Sequence, residues 1–337
     1  LLIGACVKRA PSPTPTTPTP VPAATPTPTP TPSPTPAAPI EIKSVCFLPT
    51  THVIASFIPE IVNKVNQACG GQVIWKHLGG PEVIPGLQQF EAVKSGTVDA
   101  SFLVSAFYFG QVPEAYCANL SKLMPWEERQ SGFYDLMNEI HEAAGVHYLG
   151  RWHRMGFYIW PKKPLTKLTD LKGLKIRGGG VCYDPWFKKL GITGVQIPPP
   201  DTYSALQRGL VEGFAWPMFG ANDFGWLEII KNCIDHEVYP SSNALTIINL
   251  KKWHSIPKAL RDKISKAFAD AEHDMVKYYS NLYDKERQRA VDAGVTFTKL
   301  SPEEAKYYVD VAYEADWEFQ KAKSAVHYAE LRKALGY

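Results

Sequence analysis

Phe90-Glu91-Ala92-Val93-Lys94-Ser95-Gly96-Thr97-Val98-Asp99-Ala100 and Tyr203-Ser204-Ala205-Leu206-Gln207-Arg208-Gly209-Leu210-Val211-Glu212-Gly213 are one phrase written twice. Both read aromatic, any residue, Ala, aliphatic, two more residues, Gly, any residue, Val, acid, small. The physical content is a helix, a stop and a strand. Apolar residues at the first, third and fourth positions pack the helix, Gly supplies the positive φ of a helix end, and Val opens the strand. Apolar runs follow both copies, Ser101-Phe102-Leu103-Val104 and Phe214-Ala215-Trp216. A helix feeding a buried strand, repeated at a distance, predicts two similarly wound α/β lobes. Asp201, just after Pro198-Pro199-Pro200, is placed to cap the second helix.

The flanking sequence agrees. Residues 40–47 alternate at period two and predict a first strand. Residues 59–69 predict an amphipathic helix stopped by Gly70-Gly71, and 72–77 a second strand. Leu174-Lys175-Ile176-Arg177 predicts a short strand running into Gly178-Gly179-Gly180. After Ser255-Ile256-Pro257, Leu260, Ile264, Phe268, Ala271, Met275, Tyr279 and Leu282 form one helical stripe that predicts a long helix ended by Gly294. Ser301-Pro302-Glu303-Glu304 is a capping box with Pro at the first helical position, opening a last helix.

Composition narrows the function. Of the 29 Pro in 337 residues, 13 lie between Pro11 and Pro39, in a Thr-Pro tract that stays extended and solvated and reads as a spacer. The formal net charge is +3, and Lys8 and Arg9 supply two of those charges ahead of the tract. The rest of the chain offers no field for nucleic acid or an anionic membrane. No apolar run approaches the roughly 20 residues of a spanning helix. A polytopic membrane protein, a nucleic-acid-binding module and a disordered chain are excluded, leaving a globular body on a leash. Leu1-Leu2-Ile3-Gly4-Ala5-Cys6 resembles the lipobox of bacterial lipoproteins, with Ile3 at the usual Leu position, and implies acylation at Cys6. Of the other cysteines, Cys46, Cys69, Cys117, Cys182 and Cys233, at least one is unpaired, and no zinc spacing occurs.

Catalytic signatures are missing. There is no GxSxG elbow, Walker loop or GxGxxG. His141-Glu142 and His147 lack the HExxH spacing, His153 reads as a packed or surface residue, and no acidic cluster suggests paired carboxylates. What stands out is Arg177, at the carboxyl end of a strand and followed by glycines. Ligands of open α/β sheets sit outside such strand ends, and a guanidinium fork matches a carboxylate bidentately.

Asp170-Leu171-Lys172-Gly173-Leu174-Lys175-Ile176-Arg177 and the second copy of the phrase closely resemble the solute-binding proteins of TRAP transporters, the DctP family. Trp253-His254 with Ile256-Pro257 before a long helix resembles a later motif of that family. The resemblance covers nearly everything from Ile40 onward. It implies a two-lobed, periplasmic-binding-protein-like (Venus-flytrap) α/β receptor, with a long C-terminal helix spanning both lobes. The function implied is that of an extracytoplasmic receptor, not an enzyme, which hands a small organic acid to TRAP permease membrane subunits. In the family the Arg matching Arg177 salt-bridges the ligand carboxylate. Trp216 is retained, but Ala215 stands where many members carry an acid or amide. In the branch resembling 2-oxo-acid receptors that acid helps to hold a metal, so neither metal nor cofactor is expected here. A second family Arg has no match at Tyr158-Ile159-Trp160, and Arg154 is the candidate to replace it.

Phe107 and Tyr108, in the loop after the first copy's strand, are the candidates for the opposite wall, although both could equally be core. His52 is a further candidate, and Tyr183 and Trp152 complete an aromatic rim. One cation amid aromatic surface suits a monocarboxylate better than a dicarboxylate. The expected organisation is a signal remnant over 1–6, a linker over 7–39, a first lobe of 40–155 plus about 243–282, and a second of 156–242 plus about 283–337. Rival readings are a ligand-sensing subunit of a signalling receptor and a secreted enzyme on the same frame.

Overall fold

The computed structural model describes residues 1–2, 4, 6–17, 38–178 and 183–337. Most of the Thr-Pro tract, Ile3 and Ala5, and the expected Gly179-Gly180 and Cys182 lie outside the described residues. Leu1–Ala37 and Ala38–Tyr337 are separate units. In the first, the described residues are exposed and without secondary structure, and Cys6 is an exposed free thiol.

The second unit carries eleven strands among its described residues. They are β1 (Ile40–Cys46), β2 (Val73–Gly79), β3 (Ala100–Val104), β4 (Val146–Arg151), β5 (Phe157–Pro161), β6 (Lys175–Gly178), β7 (Thr193–Gln196), β8 (Gly213–Pro217), β9 (Asn232–Ile234), β10 (Ala244–Asn249) and β11 (Thr296–Thr298). A five-stranded sheet has the order β2-β1-β3-β10-β4 and a four-stranded sheet the order β5-β8-β6-β7, while β9 and β11 form a small parallel pair. In the first sheet β1 is parallel to β2 and β3, and β10 lies antiparallel beside β3. In the second, β6 is parallel to β7 and β8, and β5 lies antiparallel beside β8. The two sheets are therefore wound alike, in two lobes.

The repeated phrase explains this winding. Its first copy is the helix Gln89–Ser95 and the entry to β3; its second is the helix Thr202–Gln207 and the entry to β8. Gly96 and Gly209 take φ of 82° and 72°, the left-handed conformation that ends each helix without a Cβ clash. Asp201 occupies the cap position, but its side chain makes no capping bond. The turn Pro199–Asp201 leads into the helix in its place.

The chain passes between the sheets three times before its C-terminal helices, which return to the first lobe, where Tyr116 donates to Asp316 and Tyr337 to the Leu120 carbonyl. The first passage joins β4 to β5, and the second, after β9, leads into β10. These two passages pair with each other, because Phe157 and Val238 exchange backbone hydrogen bonds of 2.8 and 2.9 Å. The third is the 35-residue helix Lys258–Asp292. Its stripe is buried from Leu260 to Tyr279, while Leu282 is half-buried. Glu272 and Tyr279 tie it to the first lobe, through Arg129 and the Ile54 carbonyl. Glu286 and Arg287 tie it to the second, through the Gly220 amide and Asp235. The predicted box closes the start of the last long helix, Pro302–Lys323, where Ser301 accepts from the Glu304 amide and Glu304 accepts from Ser301. Cys46, Cys69, Cys117 and Cys233 are buried free thiols.

Candidate functional site

Arg177 is the third residue of β6, between β7 and β8. Only 2% of it is exposed. Its Nε donates to the Ile197 carbonyl at 2.9 Å and its Nη1 to the Ala215 carbonyl at 3.5 Å, both neutral acceptors. Nη2 has no protein acceptor among the described residues. The guanidinium lies over the Trp216 ring at 5.1 Å and near the Trp226 ring at 5.8 Å. Among the described residues no carboxylate pairs with it. Burial lowers its pKa to about 10, so it stays cationic at neutral pH. A buried cation held only by neutral dipoles and ring faces carries a desolvation cost that an anion would offset.

Facing Arg177 is a small, partly open cleft of about 30 Å³, room for one or two waters. Trp216, Tyr183 and Phe157 form its wall on the second lobe, and Phe47, Phe107 and Ile54 on the first. Its polar edge comes from the passages between lobes. His153 precedes β5, and Ser242 and Asn243 precede β10. These three are buried, and His153 Nδ1, Ser242 Oγ and Asn243 Nδ2 have no hydrogen-bond partner among the described residues. Burial, with Arg151 and then His52 adding to it, depresses the His153 pKa to about 3, so its imidazole is neutral. The site thus offers one cationic fork, three unspent polar groups and aromatic walls.

The polar edge is held by Arg151, the last residue of β4. Its Nε and Nη2 donate to Glu128 at 2.9 and 2.6 Å, and its Nη1 to the Ser241 and Ser242 carbonyls at 3.1 and 2.7 Å. Ser242 and Tyr239 have φ of 56°, the only non-glycine residues with positive φ among the described residues. Such backbone is costly and persists where surrounding contacts impose it.

Arg177, Trp216, Tyr183 and Phe107 meet in the cleft as the sequence suggested. Tyr108 and Trp152 lie behind the wall rather than in it. Tyr108 is stacked on Phe90 with ring centroids 4.8 Å apart, and its hydroxyl is 3.1 Å from His141 Nε2. Trp152 packs edge-on to Phe47 and Phe102 and donates to the Leu103 carbonyl at 3.0 Å. His52 is buried against Phe224 and Trp216, and its Nδ1 accepts from the Ile54 amide at 3.2 Å, so it supports Trp216 from outside the cleft. Arg154 faces a different cavity. His153, Ser242 and Asn243 were not anticipated as cleft residues; the only signal was a small polar run, Ser241-Ser242-Asn243, directly before an apolar strand. Phe107 also borders an open groove of about 1210 Å³ that includes Lys188, Lys189 and Lys323. Among the described residues, no three His, Cys, Asp or Glu side chains gather into a metal site, and no helix is long and apolar enough to cross a membrane.

The family model for bacterial extracellular solute-binding protein, family 7 (DctP), matches residues 47–322. A monocarboxylate 2-oxoacid-binding periplasmic protein of Nostoc sp. is 26% identical over 272 residues, covering 72% of this chain and 68% of the relative. The C4-dicarboxylate-binding periplasmic protein DctP of Vibrio cholerae is 25% identical over 185 residues, 52% of this chain and 53% of the relative. Among solved structures, a TRAP periplasmic solute-binding protein from Desulfovibrio salexigens with bound orotic acid superposes with a TM-score of 0.77 at 19% identity, over 88% of this chain and 97% of the other. An extracytoplasmic solute receptor from Bordetella pertussis binding pyroglutamic acid gives 0.74 at 15% identity, over 88% and 99%.

Proposed function

Because the chain belongs to family 7 of the bacterial extracellular solute-binding proteins, we propose that it captures a small organic monocarboxylate between its lobes and delivers it to TRAP-type membrane subunits. The observation that carries this reading is Arg177: a fully buried guanidinium, stacked on Trp216, with no carboxylate partner among the described residues. A ligand carboxylate supplies the missing anion. Ser242, Asn243 and neutral His153 suit a second polar group on the acid, such as a hydroxyl, oxo or ring amide, and Phe47, Phe107, Phe157 and Tyr183 suit an apolar body. The Nostoc relative binds 2-oxo acids and the two solved structures bind orotic and pyroglutamic acid, all carboxylic acids bearing a second oxygen function.

The present cleft of about 30 Å³ is too small for such an acid, so the lobes have to part for entry. The wide groove outside Phe107, with its lysines, is the approach. The lobe boundaries we favour, 40–155 with about 243–282 and 156–242 with about 283–337, keep each large sheet within one lobe. Tethering through Cys6 and the Thr-Pro spacer is part of the same proposal. Cys6→Ser should then move the protein from the membrane to the soluble fraction, and unchanged fractionation would reject the tether.

The reading is tested by thermal shift against a panel of organic acids. A ligand at about 100 times its dissociation constant adds roughly 2.7 kcal/mol. Monocarboxylates with a 2-oxo, 2-hydroxy or lactam oxygen should raise the melting temperature, with no loss in the presence of a chelator. A panel in which only amines or neutral sugars stabilise the protein would overturn it.

A further inference from the structure

Behind the passages between lobes lies a second cavity, of about 340 Å³, within the range of small-molecule sites. It is built from the first passage, the second passage and the long helix together. Arg154 stands in it, half-buried, with Nε fully covered and without any hydrogen-bond partner. Among the described residues the Arg154 guanidinium has no ion pair and donates no side-chain hydrogen bond. Glu237 is at the mouth, exposed, and more than 4 Å from any cation there. Its carboxylate leans across Gly156, where a Cβ would collide with Oε2. The Tyr158 hydroxyl donates weakly to Glu237 Oε2 at 3.4 Å and sits 3.0 Å from the Tyr283 hydroxyl. Phe219 and Tyr279 supply apolar wall.

An arginine that lines a cavity and pairs with no acceptor among the described residues calls for an anion there. A carboxylate at the rim disfavours a second negative charge and favours a cation. The two charges attract each other across the cavity but make no ion pair within 4 Å, which leaves room for a ligand between them. We infer that this cavity is a second binding site, for a zwitterion of amino-acid size, with its carboxylate on Arg154, its ammonium toward Glu237 and its side chain against Phe219 and Tyr279. Since both passages and the long helix line it, an occupant would hold the two lobes at a fixed angle and so bias closure of the front cleft. The inference does not rest on the reading of Arg177.

Calorimetric titration of the full chain with L-leucine tests it, at concentrations up to about 10 mM so that millimolar dissociation constants register. L-leucine should bind wild type and Arg177→Ala alike. Arg154→Met and, independently, Glu237→Gln should each weaken it at least about tenfold. Glu237 is exposed, so its variant keeps the test open should Arg154→Met fail to fold. 4-Methylpentanoate, which lacks the ammonium, should bind at least about tenfold more weakly than leucine. No leucine binding to wild type would overturn the proposal. So would binding lost in Arg177→Ala but kept in Arg154→Met, which would put leucine in the front cleft, or equal binding of 4-methylpentanoate, which would remove the role of Glu237.

Discussion

Arg177 shows how one side chain gathers its function from its surroundings. At the end of β6 it could have been an ordinary surface cation, but the ring of Trp216 and the carbonyls of Ile197 and Ala215 enclose it. Its placement was legible in the sequence because strand, glycine and Arg stand next to each other. The groups opposite were not. Asn243 and His153 reach the cleft from passages far apart in the chain, and only the folded arrangement brings them together. Tyr108 was misplaced for a related reason: a loop after a strand offers both an outward and an inward residue, and Phe107 took the outward place while Tyr108 stacked on Phe90. If Asn243 donates to the second oxygen of the acid, Asn243→Ala should weaken binding about threefold to tenfold, the worth of one neutral hydrogen bond. It should leave acids without that oxygen unaffected. Equal losses for both kinds of acid in parallel titrations would show that Asn243 acts on the pocket's shape instead.

At the scale of elements, local grammar was readable wherever the code is local. The paired helix-to-strand phrases, the capping box at Ser301 and the long stripe on Lys258–Asp292 all rest on contacts within a few residues. Strand β10 could not be foreseen as the antiparallel neighbour of β3, since that pairing joins distant parts of the chain. The last long helix adds a feature that only packing reveals. Asp316 is fully buried there and accepts from the Tyr116 hydroxyl at 2.9 Å, while its Oδ1 has no hydrogen-bond partner among the described residues. Burial, offset in part by Tyr239 and Tyr116, raises its pKa to about 8. A carboxyl raised in the folded state adds stability that is full below its unfolded pKa, near 4, and is lost as pH climbs through about 8. Its contribution should fall by roughly 1.4 kcal/mol per pH unit inside that window. Asp316→Asn should flatten this part of the stability curve and make the protein more stable than wild type at pH 8. Denaturation midpoints measured from pH 5 to 9 check this, and an unchanged slope in the variant would assign the pH dependence elsewhere.

For the whole molecule, the decisive features are two lobes wound alike, the passages between them and a cleft where the first two of these passages meet. The long helix grips the first lobe through Glu272 and Tyr279 and the second through Glu286 and Arg287. On the proposed function, closure should take the form of one body bending against another rather than a loop folding over. Small-angle scattering should show a more compact particle when a binding acid is added, and an identical radius at saturation would indicate a rigid pocket. The proposal beneath this motion is a single pairing, an external carboxylate completing the buried Arg177. Calorimetry of the best acid from the panel, with wild type and Arg177→Ala side by side, tests it most directly. Removing one partner of a buried charge pair costs about 3–5 kcal/mol, so the variant should stay folded and bind roughly 10² to 10³ times more weakly. A folded Arg177→Ala that binds the acid within about threefold of wild type would contradict the account.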